Sequence, residues 1–451
     1  MADDHLDPQA LRQRRGAGGA KDGQQASSDY DSKAKPAVSD RTLLIGLGSL
    51  VLIAPLLAVV FIKFLRPHTE ISTLAEKPKV HAGFDKEEVR QHLRNHTLLH
   101  IGGLHRSGTT KLWEGLQLYS DISSLGHQEH TDKRVAGWIK KVYNEGIFLQ
   151  RVYPKFGLEH DKFLLRKWIG QAAKMLPFVD ETVFSWVRLR EGVGRFALNP
   201  DHHLDESSPL VQDAAQTALF NQWAIFWDLT RPVLLEKSPS NIVISPFLHR
   251  LWGLGLEDGA SPARFIFMRR HPIAVAMATL RAGGATVSDL SVMDLVENWV
   301  LAEERLAKDL NQYFEMGAGA AGATGKTYRT LTLEAMVKAP GKSLEDIATW
   351  LGLQPNPEAV AAFDKTSHKD PNAKYFVRYC GSLMSGKAQE KRIKKHAALV
   401  RKFGARVKAV EPSYDLERIV DTCRHTLLGP AKTAPDAAVA EEEEEEGPDM
   451  A

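Results

Sequence analysis

The sequence predicts an α/β fold of three layers, with a mostly parallel central sheet, preceded by one transmembrane helix. Three observations carry this. Short apolar runs alternate with helical patterns along one continuous stretch, a Gly-bracketed turn joins the first strand to the next helix, and a long uncharged run lies near the N-terminus. At 451 residues and 43% hydrophobic content, the chain can bury at least one large core.

Met1–Asp40 is rich in Gly, Ala, Gln, Ser and Asp, has no apolar periodicity, and reads as a disordered tail. Thr42–Ile62 is an uncharged Leu, Ile, Val and Ala run. At about 1.5 Å per residue it is long enough to cross ~30 Å of hydrocarbon, and it is expected to be a signal anchor. A cleaved signal peptide is the rival, but the leader of such a peptide is short and here a largely polar stretch of about forty residues comes first. Residues 66–86 resemble a stem, 84–428 form the globular part, and 434–451 form an acidic disordered tail with a six-Glu run. The formal net charge of +2 conceals an asymmetry, because Ala434–Ala451 carries eight acidic residues and no basic ones. The body between the tails is therefore basic, which suits an anionic ligand and equally suits a generally solvated basic surface.

Within the globular part, strands are expected at Leu98–Gly102, Val233–Glu236, Arg264–Met268 and Tyr328–Leu333. Helices are expected at Thr109–Leu118, Pro209–Asp228 and Leu290–Phe314. In the last helix Met293, Leu295, Val296, Trp299 and Val300 recur near helical spacing, and Glu304 with Lys308 gives an i,i+4 ion pair on the wet face. The aromatic-rich insert Gly126–Asn199 shows no clear strand. It reads either as a helical cap over an acceptor or as an irregular flank whose aromatics fill the core. Cys380 and Cys423 permit one disulfide or two buried thiols.

The most informative stretch is Leu98–Leu118, LLHIGGLHRSGTTKLWEGLQL. Gly102, Gly103 and Gly108 allow a tight turn and close backbone approach, and the first turn of the following helix leaves N–H groups without intrahelical partners. Those donors and the positive end of the helix dipole make an anion site, so the fold is expected to be P-loop-type. Gly103 and Gly108 have the spacing of the nucleotide P-loop, but Thr109 stands where that motif has Lys. ATP hydrolysis is accordingly disfavoured. A second near-match, Ala320–Thr327 (AAGATGKT), has inverted context, with a helical pattern before it and a strand after it, and reads as a plain Gly/Ala loop.

Arg-Ser-Gly-Thr-Thr after the Gly pair resembles the 5′-phosphosulfate loop of the sulfotransferases that use 3′-phosphoadenosine 5′-phosphosulfate (PAPS). Arg264–Thr279 is similar to that family's second cofactor segment, Leu234–Asn241 (LLEKSPSN) to its E-K-S-P element, and Tyr328–Leu353 to its strand, acidic residue and helix stretch. The resemblance spans roughly residues 98–416. It implies that Gly103, His105, Arg106, Ser107, Gly108, Thr109 and Thr110 bind the phosphosulfate, with Arg106 also catalytic. It further implies that Lys237 stabilises the bridging oxygen as sulfate leaves. Arg270, rather than Arg269, is expected on the 3′-phosphate because His-Pro follows it. The hydroxyl that the family places eight residues after this Arg is missing at Ala278, and Thr279 is expected to supply it.

For the base, Glu145 in YNEGIFLQRVYP resembles the family's E-G-x-x-L-Q segment, while Glu129 has the alternative spacing from the loop Arg. His105 is the next candidate. His127 and His130 flank Glu129 without further ligand spacing, so no metal is expected. The resemblance implies an enzyme with PAPS as co-substrate, a glycan or protein acceptor, membrane attachment through one helix, no nucleic acid, and a lumenal catalytic domain in the Golgi. Asn95-His96-Thr97 is a glycosylation sequon consistent with that side of the membrane. A P-loop kinase or NTPase, and a catalytically degenerate membrane scaffold, are the two rival readings.

Overall fold

The computed structural model describes residues 82–125, 145–156, 192–257, 260–282, 287, 290–315, 327–366 and 369–427. All lie within the unit Glu70–Ala451. Thr42–Ile62, both tails, most of the stem, Glu129, His127 and His130 fall outside them. Among the described residues, no helix is long and apolar enough to cross a membrane.

The sheet has five strands, β1 (Thr97–Gly103), β2 (Ile122–Ser124), β3 (Val233–Lys237), β4 (Ala263–Arg269) and β5 (Tyr328–Thr332). Their order is β2-β3-β1-β4-β5 and every pairing is parallel. Four of the strands stand where the apolar runs predict them. The fifth, β2, is only three residues long and carries two serines, too short for a periodic signal. Between β3 and β4 the chain crosses from one side of β1 to the other. Strand order therefore reverses at β1, and in open α/β sheets the crevice at the carboxyl ends of such strands holds ligands.

Alternation along the strands divides the core into two faces. Leu99, Ile101, Leu235, Ile266 and Met268 pack on one face with Leu112 and Leu116 of α2 (Thr109–Leu116). Leu333, Met336 and Val337 of α7 (Leu333–Lys338), Leu344 and Ile347 of α8 (Pro340–Leu351), and Phe363 of α9 (Pro357–Asp364) complete that layer. Leu98, Leu234, Phe265 and Phe267 face the larger layer. It is built from α3 (Asp213–Ala224), α4 (Ser245–Trp252), α5 (Pro272–Ala282), α6 (Val292–Asp309) and three C-terminal helices. These last are α10 (Ala373–Met384), α11 (Gln389–Val410) and α12 (Ile419–Leu427). This is the three-layer α/β arrangement that the sequence predicts.

Local chemistry explains the boundaries. The first helix, α1 (Lys86–Asn95), starts on a capping box in which Asp85 and Glu88 satisfy each other's backbone N–H groups. Ser291 and Asp294 do the same for α6, whose apolar stripe is buried at Leu295, Val296, Trp299 and Val300. Helix α6 runs on into a π-helical turn, Leu310–Glu315. Glu304 engages Arg406 of α11 at 2.6 Å, so the residue read as one half of a local pair ties two helices together. Pro340 opens α8, and Gly352 closes it in the left-handed conformation. Cys380 of α10 and Cys423 of α12 form a disulfide. The described part of the 126–199 insert contributes Ile147, Leu149, Val152, Tyr153, Phe156 and Phe196 to the core. Thr327 already belongs to the sheet approach, its carbonyl accepting from Phe265 N at 3.0 Å, while Ala320–Lys326 lie outside the described residues.

Candidate functional site

The carboxyl end of β1 turns into α2 through Leu104–Gly108. Gly103 has φ +146°, and a Cβ there would meet Met268 O at 2.5 Å and Ser107 Oγ at 2.8 Å, so only glycine fits the cradle. Gly108 is the N-cap of α2, has φ +98°, and provides no side-chain cap. The N–H groups of the first turn, Thr109 and Thr110 among them, therefore have no capping side chain. Arg106 is held at φ +70°, a left-handed conformation uncommon for a residue with a Cβ. Such strain concentrates at ligand sites. Two buried side-chain atoms in this turn, Ser107 Oγ and His105 Nδ1, have no hydrogen-bond partner. Orphaned buried donors beside an uncapped helix start fit an anionic ligand such as a phosphate-bearing group.

Next to β1, Lys237 ends β3, and its ammonium reaches Glu145 Oε1 at 2.9 Å. The Lys237 side chain is only 1% exposed and that of Glu145 16%. His105 feels this pair directly. Burial pushes its imidazole down to about 4, Glu145 pulls it back up, and Arg106 and Lys237 lower it further. At neutral pH His105 is uncharged. Arg106, His105, Glu145 and Lys237 thus form one electrostatic cluster at the end of the two central strands.

Arg270 completes the wall. It follows β4, donates Nη1 to Arg106 O at 2.9 Å and Nε to Asn372 Oδ1 at 3.0 Å, and gives Nη2 to Pro371 O. Its guanidinium lies 4.7 Å from the Tyr375 ring centroid. Arg270 therefore braces the strained loop residue. Arg269 points elsewhere, pairing with the buried Glu303 at 2.7 Å. Glu334 ties the surroundings together, accepting from His271 N at 2.9 Å, Asn372 Nδ2 at 2.7 Å and Tyr414 Oη at 2.8 Å. Thr279 is buried on α5, and a Cβ built on Gly194 would lie 3.4 Å from its methyl Cγ2. The Arg270 guanidinium hydrogen-bonds to Asn372, Arg106 and Pro371 and not to Thr279 among the described residues. Also among the described residues, no group of three His, Cys, Asp or Glu is placed to hold a metal ion.

A model of the sulfotransferase family matches residues 99–357, more than half of the chain, including the glycine turn, Glu145, Lys237 and Arg270. The chain belongs to the sulfotransferase family. Among solved structures, this sulfotransferase is similar to sulfotransferase STF9 from Mycobacterium avium, at 12% identity and a TM-score of 0.33, over 60% of this chain and 67% of that one. It is also similar to the sulfotransferase domain from the curacin biosynthetic pathway, at 14% identity and a TM-score of 0.31, over 74% of this chain and 97% of that one. No curated protein matches it.

Two groups of this sulfotransferase's site residues escape the sequence reading. One is the set Asn372, Tyr414 and Glu303, which together with Glu334, the acidic residue of the Tyr328–Leu353 stretch, surrounds the paired arginines. The other is the buried set around Glu236. Its signal is an ionisable residue inside an apolar strand, seen twice, in LLHIGG and in LLEK. A buried carboxylate requires donors, and a buried histidine in the adjacent strand can be one of them.

Proposed function

We propose that this sulfotransferase moves a sulfuryl group from PAPS to a hydroxyl or amine on a glycan or protein acceptor. The observation that carries the reading is the Lys237–Glu145 pair, 2.9 Å apart, beside the glycine turn. In that assignment the amide N–H groups of the turn, with Arg106, Ser107, Thr109 and Thr110, hold the 5′-phosphosulfate. Arg270, braced against the loop, and Thr279 serve the 3′-phosphate. PAPS supplies an activated sulfuryl group on a phosphate leaving group.

Lys237 places a positive charge where negative charge develops on the bridging oxygen as the S–O bond to phosphate breaks. Glu145 uses its second carboxylate oxygen to take the acceptor's proton as the new O–S or N–S bond forms. Glu129 remains the alternative base. The products are the sulfated acceptor and adenosine 3′,5′-bisphosphate. Thr109 in place of the nucleotide-motif Lys speaks against the kinase or NTPase reading.

The membrane assignment is part of the same proposal. Thr42–Ile62 is a signal anchor and the catalytic domain lies in the Golgi lumen. An exposed Asn95 within the sequon and the Cys380–Cys423 disulfide, which suits an oxidising compartment, support this reading.

The test is incubation of the full chain with radiolabelled PAPS and an array of hydroxyl- and amine-bearing glycans and peptides. Labelled product is expected, and Glu145→Gln is expected to lower kcat about 10²-fold while donor binding survives. A chain that binds PAPS yet labels none of the acceptors would support the scaffold reading instead.

A further inference from the structure

Glu236 is fully buried in β3, one residue before Lys237, and its carboxylate collects four hydrogen bonds. Oε1 accepts from Ser238 Oγ at 2.5 Å and from Gly146 N at 3.1 Å. Oε2 accepts from Asn241 Nδ2 at 2.6 Å and from His100 Nδ1 at 3.1 Å. The donor role of His100 follows from its other nitrogen. Trp252 Nε1–H can only donate, and it points at His100 Nε2 at 3.1 Å, so Nε2 is the acceptor and Nδ1 carries the proton. The parallel register sets His100 directly beside Glu236. Every described contact of this carboxylate is thus with a donor.

What these bonds hold is the segment that carries Glu145. Gly146 N is fixed by Glu236, Ile147 N by Ser238 Oγ at 2.9 Å, and Gly146 O by Trp223 Nε1 at 3.0 Å. Approach is close enough that a Cβ on Gly146 would lie 2.5 Å from Glu236 Cγ. Successive strand residues face opposite ways, so Glu236 grips the backbone of this segment from one face of the sheet while Lys237 emerges toward the other. The Glu145 carboxylate reaches over the strand end to Lys237.

We propose that Glu236 is a positioning residue for sulfuryl transfer: through Gly146 and the Ser238 hydroxyl it fixes the backbone at Glu145 and so sets the distance between the base and Lys237. This rests on the reading of Glu145 as the base. The purpose of the device is geometric. Glu145 starts a short 3-10 turn that spans only Gly146–Leu149, and no side chain caps it. Without the buried carboxylate, the ties described from β3 and α3 to the backbone of Gly146 and Ile147 would be those of Ser238 and Trp223. A shift of about 1 Å at a reacting group can cost roughly 10²-fold in rate.

The test is a kinetic cycle on the full chain with Glu236→Gln, Glu145→Gln and the double variant, with adenosine 3′,5′-bisphosphate affinity and thermal unfolding measured for each. Glutamine keeps the volume of Glu236 but turns one acceptor into a donor that faces other donors. Expected are a kcat about tenfold or more below the parent, bisphosphate affinity within about twofold of it, and a double variant little worse than Glu145→Gln alone. Ser238→Ala, a milder loss of the same link, is expected to lower kcat less and in the same direction, and it carries the test if Glu236→Gln does not fold. Parental kcat in both Glu236→Gln and Ser238→Ala, or full multiplicativity in the double variant, overturns the positioning role. Parental kcat in Glu145→Gln overturns the base assignment and this proposal with it, so the two failures are distinguishable.

Discussion

Replacing Arg270 separates the two adjacent arginines and tests how the loop is braced. In Arg270→Ala three hydrogen bonds disappear, but only the one to Arg106 O touches the glycine turn. A hydrogen bond from a charged donor contributes about 1.5–3 kcal/mol. If the donor site feels that one bond, affinity for adenosine 3′,5′-bisphosphate falls roughly ten- to hundredfold, and direct contact with the 3′-phosphate would add to the loss. Arg270→Lys should recover little. Lysine keeps the charge but lacks the planar fork that reaches Arg106, Asn372 and Pro371 together. Arg269→Ala should behave in the opposite way, with affinity near parental and stability reduced, because it strands Glu303, whose side chain is 1% exposed. Burial raises that carboxyl and Arg269 lowers it, so removing the cation leaves the group buried without its partner, at a cost of about 3–5 kcal/mol. Isothermal titration and thermal unfolding of the three variants decide the matter. Parental affinity in Arg270→Ala together with weakened binding in Arg269→Ala would assign the donor-site role to Arg269 instead.

Three further outcomes are expected. Gly103→Ala should lose donor binding through the clash with Met268 O and the unfavourable φ, whereas Thr110→Ala, at an exposed position, should fold normally; calorimetric titration of both checks this. Stability should fall as pH drops below about 6.5. Burial is the main cause that pushes His105, His203 and His249 down to about 4 and His271 to about 3, so each favours folding when neutral and must charge in acid. Asp309, raised to about 6 by burial, works against this trend and does not reverse it, and unfolding in denaturant between pH 7.5 and 4 reads the sum. A rising stability toward pH 4 would contradict it. Protease treatment of intact microsomes should trim the tail before Thr42 and spare the catalytic domain, while digestion of that domain would invert the proposed topology.

The parts of this molecule that are legible in its sequence are those set by local rules. The β1 turn and α2 declare themselves through glycine spacing after an apolar run, and α6 through its buried stripe. Lys237 and Arg270 are legible through short motifs. Their work is set by distant partners. Arg269 and Arg270 are chemically identical neighbours, and only Glu303 on α6 and Asn372 beside α10 tell them apart. The choice of Glu145 depends on Lys237, 92 positions away, and the Glu236 network depends on a strand register between residues 136 positions apart. Two cysteines alone could not distinguish a disulfide from two thiols, because that depends on α10 meeting α12. β2 is invisible for a simpler reason, since three residues hold less than two periods of alternation.

We propose that the glycine turn, Arg106 and Arg270 form a site for a 3′-phosphorylated adenosine phosphosulfate and not for a nucleoside triphosphate. The most direct test is calorimetric titration of the full chain with adenosine 3′,5′-bisphosphate and, separately, with ATP and Mg²⁺. Saturable binding of the bisphosphate, lost in Arg106→Ala and weakened in Arg270→Ala, with ATP binding at least tenfold weaker, is the predicted result. ATP binding more tightly than the bisphosphate, accompanied by its hydrolysis, would instead make this a nucleoside triphosphate site.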